Sequence, residues 1–252
     1  HLENRILKQK NKFYERIALK NCDAIVGVSQ FVSDTTNELF NLNRTIEVIH
    51  NTIDTHNFIP NHQNIQPKTL LYFGSVIRKK GVLEIVPVFN QLVAKDNLIK
   101  LLIVGRDVED VLEQKSTLNL FKEQLSSEAL KNFEYKSAVP YKEIINHIHK
   151  AEVILLPSFA EAFPMSWLEA MAMEKKLITS NIGWAKELMV DGETGCMVNP
   201  SDTEVFLIKM IYLLENKEAS LIMAKQARQR VKNDFDVYEI FQENINLYKN
   251  IL

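Results

Sequence analysis

Two glutamates and a run of cations are the residues of this chain best suited to do chemistry. Glu161 and Glu169 stand in the stretch Ser158-Phe-Ala-Glu161-Ala-Phe-Pro164-Met-Ser-Trp-Leu-Glu169-Ala-Met-Ala172. The stretch follows an apolar run, Val153-Ile-Leu-Leu-Pro157, of strand character. Pro164 suits the first turn of a helix, where its missing N–H would have no partner anyway. A strand, a loop and a helix N-terminus are where α/β proteins hold phosphate groups. Carboxylates beside that place suit sugar or ribose hydroxyls rather than the phosphate. The combination points to a nucleotide-sugar site.

Spacing alone does not carry this reading. The chain has 22 glutamates, for which chance supplies about two pairs eight residues apart. Glu161 and Glu169 are its only such pair, so the weight lies in the strand before them and the Ala/Met-rich helix after. A loop glutamate followed by a solvated helix glutamate is the plainer reading of the same residues.

A second candidate is the loop Phe73-Gly74-Ser75-Val-Ile-Arg78-Lys79-Lys80-Gly81. It links a strand to a helix, so it belongs at the carboxyl edge of a sheet, where open α/β folds bind ligands. Its three cations beside two glycines suit a departing diphosphate; a solvated basic turn fits equally well. Weaker signals are Val104-Gly105-Arg106-Asp107 at a strand end and Ala138-Val139-Pro140-Tyr141. The latter would set backbone groups against a flat base. Asp191-Gly-Glu-Thr-Gly195 reads first as a tight turn.

Other chemistries lack a pattern. His147 and His149 lie two apart on a helical segment and cannot share a face; His50 and His56 have no partner pattern. Ser-His-Asp order, zinc spacing and a P-loop are absent. Met165, Met171 and Met173 read as core. Net charge is -2, which gives no electrostatic footprint for nucleic acid. Cys22 and Cys196 form no metal or disulfide pattern, which fits a reducing, cytoplasmic setting. No apolar run reaches membrane-spanning length. Arg5, Lys8, Lys10, Lys12, Arg16 and Lys20 would suit peripheral contact with anionic lipid at the inner membrane face. They do not segregate onto one face, however, and so read as a solvated helix.

The elements that position these residues alternate. Residues 2–20 read as a helix with Leu2, Ile6, Phe13 and Ile17 near one face. Asp23–Val28 reads as a buried strand, Ser29 as the cap of a helix to about Phe40, and Thr45–Ile49 as a strand. Residues 51–67, with Pro60 and Pro67, read as a linker. Strands follow at Leu70–Phe73, Lys100–Val104, Phe133–Lys136, Val153–Leu156 and Lys176–Thr179. Between them lie helices at Val82–Ala94, about Asn119–Leu125, Tyr141–His149 and Met165–Met173. Ala185–Val190, about 202–215, 218–232 and Val237–Leu252 complete the helices. Near-continuous apolar strands alternating with helices predict an α/β parallel sheet covered on both faces. At 46% hydrophobic residues, 252 residues can bury such a core.

Taken in order, these segments resemble the retaining GT-B glycosyltransferases of family 4, the glycosyl transferases group 1. Asp23–Ser29 is similar to the last strand of that family's N-terminal lobe, and Val48-Ile-His-Asn51-Thr-Ile-Asp54 to the crossing between lobes. Phe73–Gly81 resembles the phosphate loop, Glu161–Glu169 the two-glutamate motif, and Asn181–Gly195 the segment beyond it.

The resemblance implies a Rossmann-like donor-binding lobe at 68–235 and a remnant of the acceptor lobe at 1–50. A linker at 51–67 and a helix at 236–252 crossing back toward that lobe complete the division. It implies that Glu169 binds ribose, Glu161 the donor sugar, and Lys80 the leaving phosphate. Phe163, Pro164 and Met165 meet the diphosphate or sugar, and Val139 the base. Gly74, Ser75 and Gly105 would line the donor site. Ser75 stands where the family usually has Arg, and Arg78 would substitute for it. Ala162 and Glu174 stand where the family has Gly. A metal is not required. The reaction implied moves a sugar with retention from a nucleoside diphosphate to a hydroxyl on a saccharide or lipid-linked acceptor, in bacterial polysaccharide or glycolipid synthesis. The chain opens at His1 directly into a helix and reads as truncated. A full acceptor lobe would need on the order of 100 further residues. A nucleotide-sugar-binding module without turnover is therefore the competing expectation, and the last helix is expected to expose or repack its apolar face.

Overall fold

The computed structural model describes residues 2–251, with side chains from residue 10 onward. The apolar stripe read at Leu2 and Ile6, and the cations Arg5 and Lys8, lie outside the described side chains. Helix α1 (Leu2–Asn21) precedes strand β1 (Val26–Gly27), helix α2 (Gln30–Phe40) and strand β2 (Glu47–Val48). The strands β1 and β2 pair in parallel as a sheet of their own. Ser29 caps α2, its hydroxyl accepting from the Val32 N–H; an uncapped helix would leave that donor unpaired.

The larger body begins with β3 (Thr69–Phe73) and α3 (Ile85–Lys95), then β4 (Lys100–Val104), α4 (Thr117–Glu123) and α5 (Ser127–Lys131). It continues through β5 (Phe133–Lys136), α6 (Tyr141–Lys150), β6 (Val153–Leu156), α7 (Met165–Ala172) and β7 (Lys176–Ser180). Then come α8 (Ala185–Leu188), β8 (Cys196–Val198), α9 (Thr203–Glu215), α10 (Lys217–Asp234) and α11 (Val237–Ile251). Six strands form one parallel sheet in the order β5-β4-β3-β6-β7-β8. All four residues of β6 are buried, as a strand covered on both faces requires. Helix α3 packs on α5 and α9, while α7 packs on α10, so the predicted α/β layering is present.

From β3 the chain steps outward to β4 and β5, then returns to place β6 on the other side of β3. That reversal opens a crevice beyond the carboxyl ends of β3 and β6. It sets the Phe73–Gly81 loop opposite the Pro157–Pro164 loop.

Several expectations are corrected. Asp23–Val28 is not a buried strand: only Val26 and Gly27 form a ladder, and Val26 is exposed. A sheet of two strands leaves one face bare. Helix α3 starts at Ile85 rather than Val82, after a 3₁₀ turn at Arg78–Lys80. Pro87 lacks an N–H, so a regular helix from Val82 would lose a bond there. The short elements α5 and β8 were not anticipated. Their signals were slight: Ser126, whose hydroxyl accepts from the Ala129 N–H, and the apolar triplet Cys-Met-Val after Gly195. The stretch 51–67 is seated at buried Ile53, Thr55 and Phe58. Ile53 bridges to Asp236 between α10 and α11. Helix α11, by contrast, behaves as expected: it buries Ile240 but exposes Tyr238, Phe241 and Tyr248.

Candidate nucleotide-sugar site

The crevice holds a cleft of about 540 Å³. Of the residues expected at the site, Gly74, Ser75, Lys80, Gly105, Val139, Glu161, Phe163, Pro164, Met165 and Glu169 all line it. They come from the carboxyl ends of β3, β4, β5 and β6 and from the start of α7.

Backbone packing sets the geometry between the two central loops. Gly81 has φ +67°, and a Cβ there would lie 1.9 Å from the Pro157 carbonyl oxygen. Only glycine lets the strand-β3 loop lie so close on the strand-β6 loop. The Phe159 N–H also donates to the Lys79 carbonyl at 2.8 Å. Between these two contacts, Lys80 Nζ reaches Glu161 Oε1 at 3.1 Å. Ser158 Oγ donates to the same oxygen, also at 3.1 Å. Gly105 makes a second close approach: a Cβ there would meet the Gly74 carbonyl oxygen at 1.8 Å.

Glu169 sits on α7 and is 5% exposed. Burial pushes its acid up from the usual carboxylate range, while a hydrogen bond from Tyr141 and the Lys80 charge pull it down. The Tyr141 hydroxyl donates to Glu169 Oε1 at 2.7 Å. Burial and the Glu169 contact hold the Tyr141 phenol above its ordinary value, so it stays a donor. Tyr72 is likewise raised, by burial and then by the Glu161 charge. Its hydroxyl donates to the Ser75 carbonyl at 2.7 Å and braces the turn after β3.

The first N–H groups of α7 have no partner within their own helix, and Met165 and Ser166 at that end line the cleft. Partial positive charge collects at a helix N-terminus. The cleft therefore has cationic character from Lys80 and the helix end, acceptor character from two carboxylates, and apolar walls from Phe73, Val104, Ile144 and Phe163. A phosphorylated, hydroxyl-rich ligand with a flat apolar part matches that distribution.

Three expectations at the site change. Arg78 does not line the cleft. Its guanidinium donates to Asp110 through Nε at 2.7 Å and Nη2 at 3.1 Å. Asp110 is 1% exposed, and a buried carboxylate needs a fixed partner, so Arg78 is committed to structure and does not stand in for Ser75. Pro164 offers no N–H and acts as wall and helix start only. Met165 is not core: it is part-exposed on the cleft rim, unlike buried Met171 and Met173.

Sequence reasoning also missed how residues 28–51 seat on the Glu161 loop. Ser29 Oγ donates to the Ala162 carbonyl at 3.2 Å, and Asn51 Nδ2 to the Phe163 carbonyl at 3.1 Å. The His50 ring stacks on Phe163 with centroids 4.8 Å apart. Glu187 accepts from the Gln30 and Phe31 N–H groups at 2.7 and 2.9 Å. Arg106 also lines the cleft; its place directly after Gly105 was the available signal. The one Asp-x-Asp sequence, Asp234-Phe235-Asp236, lies away from the cleft. Asp236 accepts from Thr55 Oγ1 at 2.6 Å, and Asp234 pairs with Arg230 at 3.6 Å. Among the described residues, no group of three or more His, Cys, Asp or Glu side chains could hold a metal ion. No helix among them is long and apolar enough to cross a membrane.

The family model for glycosyl transferases group 1 matches residues 55–230, well over half of the chain. The chain belongs to that family. A second model, glycosyltransferase family 4, matches residues 1–57. Among curated relatives, a glycogen synthase of Mycobacterium tuberculosis is 27% identical over 233 residues, covering 91% of this chain and 55% of the relative. The capsular polysaccharide biosynthesis glycosyltransferase CapM of Staphylococcus aureus is 27% identical over 184 residues, covering 72% and 46%. The chain thus spans about half the length of the curated relatives it matches. A solved structure of Anabaena Alr3699/HepE in complex with UDP and glucose superposes with a TM-score of 0.81 at 16% identity, covering 96% of this chain and 67% of that one. At that identity the likeness establishes the GT-B fold. The family and fold-class expectations are thereby met.

Proposed function

We propose that this chain carries the donor site of a glycosyltransferase that uses a nucleoside-diphosphate sugar, transfers it with retention and needs no metal. The observation that carries the reading is the convergence of Lys80, Glu161, Glu169 and the α7 N-terminus on one cleft at the β3/β6 switch point. Family membership and the UDP-bound GT-B neighbour support it.

Glu169 accepts the ribose hydroxyls, and Glu161 accepts hydroxyls of the donor sugar. The Val139 backbone faces the base. Lys80, with the helix end, takes up the charge that develops on the leaving diphosphate, the role a metal would otherwise fill. The bond from the anomeric carbon to the phosphate oxygen breaks, and a bond to the acceptor oxygen forms on the same face. The acceptor proton passes to the leaving phosphate. The capsular and glycogen relatives support a saccharide or lipid-linked acceptor in polysaccharide or glycolipid synthesis.

Calorimetry with UDP-, GDP- and ADP-sugars tests the donor site, and NMR of the product anomer in the presence of EDTA tests retention and metal independence. Binding of one sugar nucleotide, followed by transfer with the anomeric configuration kept, is expected. Failure of all three to bind overturns the reading. Binding without transfer or hydrolysis makes the chain a binding module instead.

A further inference from the structure

The Tyr141 side chain sits on the cleft in an unusual way. The residue is 60% exposed at the first turn of α6, yet its hydroxyl turns inward to a carboxylate that is almost fully buried. Buried Phe58, from the 51–67 stretch, packs edge-on against the ring with centroids 6.1 Å apart. Burial of apolar surface does not account for so exposed a residue, whereas the hydrogen bond does.

We propose that Tyr141 is a positioning residue for nucleotide recognition, holding the Glu169 carboxylate charged and in one orientation so that its remaining lone pairs receive the ribose hydroxyls. The inference rests on the reading of Glu169 as the ribose acceptor. An ionised carboxylate has about four acceptor positions. Tyr141 takes one of them and leaves enough for two hydroxyls. A protonated Glu169 would instead present a donor and lose acceptor capacity.

The charged and titratable groups facing this carboxylate are Tyr141 from α6, Lys80 from the turn after β3, and Glu161, which pairs with Lys80, from the loop after β6. Burial opposes the charge, and Tyr141 and Lys80 favour it. Without the phenol, Lys80 acts alone against burial. Phe58 fixes the ring from the interlobe stretch, so that segment bears on nucleotide binding although it does not line the cleft.

The experiment titrates UDP, GDP and ADP by calorimetry, then compares the tightest of them with its 2′-deoxy analogue in wild type and Tyr141→Phe, from pH 6 to pH 8. Wild type is expected to prefer the ribonucleotide. Tyr141→Phe is expected to cut that preference about tenfold, the scale of one hydrogen bond to a charged group. It should lose more affinity at pH 6 than at pH 8, because Glu169 then protonates at higher pH. On a Glu169→Gln background, Tyr141→Phe should leave the preference unchanged. Phe58→Leu, which loosens the ring but keeps the hydroxyl, should shift it in the same direction by less.

Equal losses for the ribo and deoxy forms would assign Tyr141 a merely structural role and overturn the inference, as would an unchanged preference in both single variants. Absence of any ribose preference in wild type would remove the Glu169 assignment and this inference together. Absence of all nucleotide binding would strike the proposed function itself.

Discussion

Lys80 Nζ and Glu161 Oε1 lie 3.1 Å apart across the switch point between β3 and β6. Ser158, three residues away, braces Glu161, but nothing local in sequence brings Lys80 to it. The pair exists because Gly81 lies against Pro157 and Phe159 donates to the Lys79 carbonyl. Backbone contact holds the cation and the carboxylate in register, and the cleft inherits that rigidity.

Gly81→Ala should therefore damage both stability and site. The new Cβ would overlap the Pro157 carbonyl at a backbone angle that L residues disfavour. A loss of about 2–4 kcal/mol is expected, read by urea denaturation. Nucleotide affinity should fall as well, because the loop must move.

Lys80→Ala should act on phosphate rather than on fold. Affinity for a nucleoside diphosphate is expected to drop about tenfold or more, with little change for the parent nucleoside. Calorimetry on the two ligands makes the comparison. Equal losses for both would move Lys80 out of the phosphate role.

Arg78→Ala should do the reverse. It leaves the buried Asp110 carboxylate with only the Leu112 and Glu113 N–H groups as donors, a loss of about 1–3 kcal/mol, yet it should leave nucleotide affinity nearly unchanged in the folded protein. The Arg78 hydrogen bond is the main cause holding Asp110 at about 2, below its ordinary 3.8. A depressed acid stabilises the fold above its ordinary value and loses that contribution as pH falls through the folded one. Wild type should therefore lose this stability between about pH 4 and pH 2, and Arg78→Ala should lose less over the same range. Denaturation midpoints across that range test it.

Lys175 gives the opposite end of the pH scale. It is buried, with no carboxylate partner among the described residues, and its ammonium donates to the carbonyls of His149 and Ala151 at 2.8 and 2.9 Å. Burial lowers it to about 8 from an ordinary 10.5. Between those values the unfolded chain binds more protons than the folded one, so stability rises with pH. Lys175→Met should flatten that rise, which urea midpoints at pH 8 and pH 10 would show.

Much of the cleft was readable from residue order. Glycines and cations after one apolar run, and glutamates astride a Pro-started helix after another, mark loops at the carboxyl ends of strands. That follows from the local rules of strand, turn and helix start. Arg78 shows where such rules stop. Its neighbours Lys79 and Lys80 share its charge and its turn, and only Asp110, folded in from beyond β4, decides that Arg78 faces structure while Lys80 faces the cleft. Val26 shows the same limit for burial, since its exposure depends on how many strands stand beside it.

The sequence by itself determined the alternation of strands and helices, the helix starts at Ser29 and Pro164, and most of the residues that line the cleft. Each is encoded within a few neighbouring positions. Only the tertiary structure decided which of those residues meet, because their meeting depends on strand order. The return of β6 to the side of β3 joins Lys80 to Glu161, brings Tyr141 to Glu169, and seats Asn51 and His50 on Phe163. Contacts between distant segments are set by packing of the whole sheet, which no local pattern records.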